Sequence, residues 1–301
     1  MRIGIFAGTS STSGNADDVV AAAHTAAAEG FSSFWLPQIF GPDAITVAGV
    51  IGREVPSLEV GTAVVPTYPR HPMMLAQQAL TASSLSGGHF TLGIGLSHQL
   101  VIEQIMGLSF EKPIRHMREY LSILRPLVHD RAVAFTGETM SAHATIDIGD
   151  VAPCPILIAA LGPKMLALAG ELAEGTITWM TGADTLASHT VPTITAAAER
   201  HGRPAPRVAA GIPLCVTDNP AGARESAAAT FAVYGILPSY RAMLDREGLE
   251  GPADMALVGT EDEVAAGIER YKAAGLTDFL AVEFGSPDEL HRTREFLRGL
   301  L

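Results

Sequence analysis

Eight short apolar runs, amphipathic segments alternating between them, and capping residues at the joints predict an α/β protein closed as a (β/α)8 TIM barrel. The runs fall at 2–6, 33–37, 58–65, 90–95, 155–161, 175–180, 208–216 and 278–284. A chain near this length buries roughly three-quarters of its unfolded surface. Barrels of about this size form one unit, so 1–301 is read as a single domain.

The intervening segments carry helix punctuation. Asn15 can cap a helix whose first turn holds Asp17 and Asp18, with Gly30 past its close. Pro72 suits a first helical turn, and Gly87–Gly88 end that segment. Thr260 with Glu263 forms a capping box, followed by Val264, Ile268 and Tyr271 on one face and a stop at Gly275. Ser286, Pro287 and Glu289 repeat the same logic. Two insertions exceed simple βα units. Residues 130–150 predict a hairpin turning at Gly137 and Glu138, and residues 217–258 predict a lid or substrate wall.

Composition narrows the partners. Net charge is −12, with only Lys112, Lys164 and Lys272 as lysines, a field that repels polyphosphate and argues against nucleic acid. An anionic small ligand then needs a local cation or a helix N-terminus. Cys154 and Cys215 stand far apart outside any CxxC pair, which suits a reducing compartment. The opening MRIGIFAG reads as a strand, not a leader, and no apolar run reaches the roughly 20 residues of a membrane span. The expected location is the cytoplasm; neither a membrane nor a metal is expected.

Barrel sites lie in the loops after the strands, and three such segments stand out. The first, GTAVVPTYPRHP over 61–72, carries Pro66, Pro69 and Pro72 with their X-Pro restrictions and must leave the barrel along a fixed, irregular path. In the second, FTLGIGLSH over 90–98, Gly93 and Gly95 either admit a planar ring to the backbone or permit close packing inside the barrel. In the third, IAALGPKM over 158–165, Pro163 places Lys164 near a helix N-terminus. A cation is unfavourable there unless an anion joins it, so phosphate binding and a solvent-facing lysine stand as the two readings.

Together with AALGPKMLALAGELAEGTITWM, the closing LVGTEDEV and YKAAGLTDF, these segments resemble the luciferase-like monooxygenase superfamily. They are most similar to its branch dependent on coenzyme F420, a deazaflavin, and the resemblance covers almost the whole chain. It implies a non-prolyl cis peptide at Ala63–Val64 in a bulge that, with Val65, backs the cofactor ring. It implies that Gly95, Leu96, Ser97 and His98 line the cofactor's side chain, and that Leu161, Gly162, Pro163 and Lys164 meet its phosphate. The substrate wall would include Thr9, Ser10, Trp179, Tyr234 and Tyr240. Relatives carry acidic or histidine residues at the end of the second strand, where this chain has Gln38 and Ile39. Gln38 can hydrogen-bond a ring edge but cannot act as an acid or base near neutral pH. Proton handling then falls to His98 and His71, with Gln38 positioning; His71 has the competing role of capping the helix at Pro72. The expected activity is hydride transfer between F420 and a small, largely hydrophobic unsaturated or carbonyl compound. An FMN-dependent monooxygenase and a non-catalytic cofactor-binding protein are the alternatives, and a homodimer is the expected assembly.

Overall fold

The computed structural model describes residues 1–7 and 14–301. Its strands are β1 (Arg2–Phe6), β2 (Ser33–Leu36), β3 (Glu59–Thr62), β4 (Val65–Pro66), β5 (Phe90–Gly95), β6 (Ala132–Thr136), β7 (Ser141–Thr145), β8 (Ile156–Ile158), β9 (Gly175–Trp179), β10 (Arg207–Val216), β11 (Leu257–Gly259) and β12 (Asp278–Glu283). Eight parallel strands in the order β1, β2, β3, β5, β8, β9, β10, β12 return to β1 and close a (β/α)8 TIM barrel, leaving no open edge in the wall.

The expected continuous strand over 58–65 is corrected to two pieces. β3 stops at Thr62, and β4 resumes by pairing Val65 with Ile94 and Pro66 with Gly95. β11 is a strand that periodicity did not separate from the insertion before it. It forms because β10 outruns the barrel and leaves Leu214, Cys215 and Val216 free to pair with Leu257, Val258 and Gly259.

The capping residues act as their chemistry dictates. Asn15 Oδ1 accepts from the Asp18 amide at 3.0 Å, and capping boxes form at Thr260–Glu263 and Ser286–Glu289. Gly30 and Gly275 turn out of their helices at φ +93° and +91°, which a Cβ would resist. Among the described residues no helix is long and apolar enough to cross a membrane.

The first insertion forms the expected hairpin, and the second is helical. β6 and β7 pair antiparallel, and their turn is gripped by the Glu119 carboxylate. That group accepts from the amides of Glu138, Thr139 and Met140 at 2.9, 2.8 and 3.1 Å. Burial alone would raise its pKa, but the Thr139 hydroxyl and these amides outweigh burial and hold it at about 2. Helices Pro220–Thr230, Ala232–Ile236, Pro238–Glu247 and Pro252–Met255 fill the second insertion. Their apolar faces bury Phe231, Leu244 and Met255 against Met180 and Phe284.

Inside the wall the side chains stack in layers, as the period-2 alternation of strands requires. At the N-terminal ends, Arg207 binds Asp278 through Nε and Nη2 at 2.9 and 2.8 Å and also reaches Glu59 and Thr91. Its guanidinium lies 5.2 Å from the centre of the Trp35 ring. Above this polar floor Trp35, Leu157, Ile177, Ala209 and Leu280 form an apolar middle layer. The layer nearest the C-terminal ends includes Phe6, Ala63, Val64 and Trp179, all partly exposed, and so lies at the mouth of the barrel.

Candidate active site

The mouth is asymmetric. Phe6 ends β1 and Trp179 ends β9, and their rings stack at 5.7 Å with 28° between planes. The stack passes over the β10 side, where a Cβ on Gly211 would come within 2.9 Å of the Trp179 ring. Facing it across the barrel, β5 ends at Gly95, and the small residues Ala63 and Ala159 follow directly on β3 and β8, with Val64 beside them. The peptide bond Ala63–Val64 is cis.

The Gly93–Gly95 pair serves the second of the two readings offered above. A Cβ at Gly93 would lie 1.9 Å from the Thr62 carbonyl oxygen, and one at Gly95 would lie 2.6 Å from Val64 Cγ2. Thr62 also exchanges hydrogen bonds with Gly93 through its hydroxyl, at 2.8 and 2.9 Å. The glycines therefore admit the neighbouring bulge.

Beyond β5, Ser97 turns the chain at φ +60° and presents half-buried His98 toward Tyr240, ring centres 5.4 Å apart. Burial pulls the His98 pKa below its ordinary value, so the imidazole is neutral near pH 7. An arc of rings then runs from His98 through Tyr240 and Tyr234 (5.3 Å) to Trp179 (5.5 Å) and Phe6. This places Trp179, Tyr234 and Tyr240 in one wall. Thr9 and Ser10 lie outside the described residues.

After β8, helix Pro163–Leu172 starts with Gly162 as N-cap and Pro163 in the first turn, and no side chain caps it. A Cβ on Gly162 would meet nothing within 4 Å, and Lys164 is exposed beside it. Open amide groups, a positive helix end and an exposed lysine are the donor set an anion needs.

Two expected chemical residues are engaged elsewhere. Gln38 Oε1 accepts from the Ala44 amide at 2.8 Å and, with Asp43, holds the start of helix Ala44–Glu54. Ile39 beside it is half exposed. His71 Nδ1 accepts from the Met73 amide at 3.2 Å, capping helix Pro72–Leu85 with its side chain at the surface. Periodicity within a strand could have found Phe6, which shares the inward face with Gly4. That it stacks on a residue of β9 follows only from closure of the barrel.

The small-residue side fits a flat tricyclic ring, and the uncapped helix start fits its phosphate. The family model for luciferase-like monooxygenase matches residues 1–278. The chain is 29% identical over 257 residues to 5,10-methylenetetrahydromethanopterin reductase of Methanolobus tindarius, covering 81% of this chain and 75% of that one. It is 27% identical to the F420-dependent glucose-6-phosphate dehydrogenase of Kineococcus radiotolerans, covering 83% and 82%. A solved F420-dependent secondary alcohol dehydrogenase in complex with an F420-acetone adduct superposes with TM-score 0.82 at 20% identity, over 100% of this chain and 98% of that one. The chain belongs to the luciferase-like monooxygenase family.

Proposed function

We propose that this protein is a coenzyme F420-dependent oxidoreductase that moves a hydride between the deazaflavin and a small, uncharged, largely apolar unsaturated or carbonyl compound. The observation that carries this reading is the placing of two complementary features at one end of one barrel. A small-residue shelf (Ala63, Val64, Ala159) stands beside an uncapped helix start with its lysine (Gly162, Pro163, Lys164). The relatives named for F420 support the choice of cofactor.

When bound, the deazaflavin supplies the hydride chemistry. The chain's part is to hold and screen it. Ala63, Val64 and Val65 would back one ring face, Gly95, Leu96, Ser97 and His98 would run along the side chain, and Leu161 with Gly162, Pro163 and Lys164 would hold the phosphate. The other ring face would look toward Trp179, Tyr234 and Tyr240, whose aromatic surface excludes water and favours an apolar substrate. Turnover tests the reading: reduced F420 should lose its absorbance with some members of a ketone and activated-alkene panel. Binding without turnover across the panel would favour a cofactor-binding protein instead.

We also assign a homodimer. Helices Ala44–Glu54 and Pro72–Leu85 leave Val50 and Leu85 exposed along a shared surface groove, the kind of apolar face a two-fold interface covers. Sedimentation of the wild type and of Val50→Glu reads this directly, with a dimer expected for the first and a monomer for the second.

A further inference from the structure

Reduction of a carbonyl, or of an alkene conjugated to one, places negative charge on an oxygen. Some group must donate a proton or hydrogen bond to that oxygen. Gln38, His71 and His98 are poorly suited to give that oxygen a proton. Gln38 and His71 cap helices, and burial keeps His98 in its neutral form near pH 7. Glu283 at the end of β12 is paired with Arg294, and Glu247 accepts from the amides of Asp184 and Thr185 at 3.1 and 2.8 Å.

One pair in the aromatic arc has uncommitted polar atoms. The indole Nε1 of Trp179 is buried and has no well-formed hydrogen bond among the described residues. The Tyr234 ring meets the indole edge to face, at 5.5 Å and 71°, and Tyr240 holds the far side of Tyr234 at 5.3 Å and 89°. Burial raises the Tyr234 pKa and the neighbouring indole only partly offsets this, so the phenol keeps its proton through neutral pH.

We propose that Tyr234 is the proton donor of this site, its phenol oxygen backed by the Trp179 N–H; this rests on the F420-dependent reading above. A hydride arriving at the carbonyl carbon, or at the far carbon of a conjugated alkene, breaks the π bond and sends its electron pair to the carbonyl oxygen. The Tyr234 O–H bond breaks and its proton joins that oxygen. The substrate gains two electrons that the deazaflavin loses. The phenolate left behind accepts from Trp179 Nε1 until a proton from water restores it. Trp179 is a positioning residue in this scheme, acting through Tyr234. The substrate class sharpens accordingly, to apolar compounds carrying a carbonyl oxygen rather than isolated alkenes.

The test uses the cofactor-loaded enzyme with Tyr234→Phe, Trp179→Phe and Tyr240→Phe, reading F420 affinity, KM and kcat against pH. Tyr234→Phe should keep F420 affinity and KM but lose roughly a hundredfold in kcat, the usual scale for a general acid. Trp179→Phe should shift the alkaline limb of kcat upward in pH, because the phenolate loses its partner, and Tyr240→Phe should keep that limb in place. Undiminished kcat in Tyr234→Phe, or an alkaline limb that Trp179→Phe leaves unmoved, would overturn the proposal. Wild-type protein that binds no F420 would overturn the functional reading and this proposal with it, an outcome separate from loss of the proposal alone.

Discussion

The side-chain oxygen of Gln38 lies 2.8 Å from the amide nitrogen of Ala44, so that oxygen holds the start of a helix. An unpaired first-turn amide is what that oxygen satisfies. Gln38→Ala should therefore cost about 1 kcal/mol in urea unfolding, the net worth of one such hydrogen bond, with turnover unchanged. A fall of roughly a hundredfold in kcat would return Gln38 to the chemistry.

The floor of the barrel yields a pH prediction. Burial alone would raise the pKa values of Glu59 and Asp278, but Arg207 outweighs it and both are lowered. A carboxyl lowered by folding adds stability that is complete above its unfolded pKa and is lost as pH falls through its folded value. Unfolding free energy should therefore decline from mildly acidic pH downward. In Asp278→Asn the fall should be shallower and the starting stability lower by roughly 3–5 kcal/mol, because one partner of a buried pair is gone. Equal acid slopes in both proteins would remove Asp278 from the account.

Packing at the third strand separates two glycines of one motif. At Gly93 an added methyl would sit 1.9 Å from a backbone oxygen, which cannot step aside, whereas at Gly95 it would meet a side-chain methyl of Val64 at 2.6 Å. Gly93→Ala should destabilise by roughly 3 kcal/mol or more and Gly95→Ala by about 1–2, both measurable by denaturant melts. Comparable melts for the two variants would contradict the packing reading.

Lys164 should matter for the cofactor and not for the fold. It is exposed, so Lys164→Met should leave the melting temperature unchanged. If its ammonium meets a phosphate, deazaflavin affinity should fall about tenfold and depend less steeply on salt. Unaltered affinity would leave Lys164 as a solvent-facing residue.

The barrel was legible in the sequence because each strand announces itself locally, by an apolar run with helix caps on either side. Asn15, Thr260 and Ser286 act as those local rules state. What periodicity missed depends on contacts between distant segments. The break after Thr62 is set by packing against Gly93 and Gly95, thirty residues on. The second role of β10 needs a partner at 257–259. Gln38 looked chemical from its place at a strand end, and only the approach of Ala44 in three dimensions shows what its oxygen is for. The aromatic arc was partly legible, since Trp179, Tyr234 and Tyr240 were picked out by position, while their order around the mouth, with Phe6 and His98 at its ends, required the closed barrel.

The central claim is that the barrel mouth holds a deazaflavin, and a fluorescence titration of the purified protein with F420 and, separately, FMN tests it most directly. Saturable quenching by F420, weakened in Lys164→Met, with little response to FMN, is the predicted result. Tight binding of FMN with no response to F420 would contradict it.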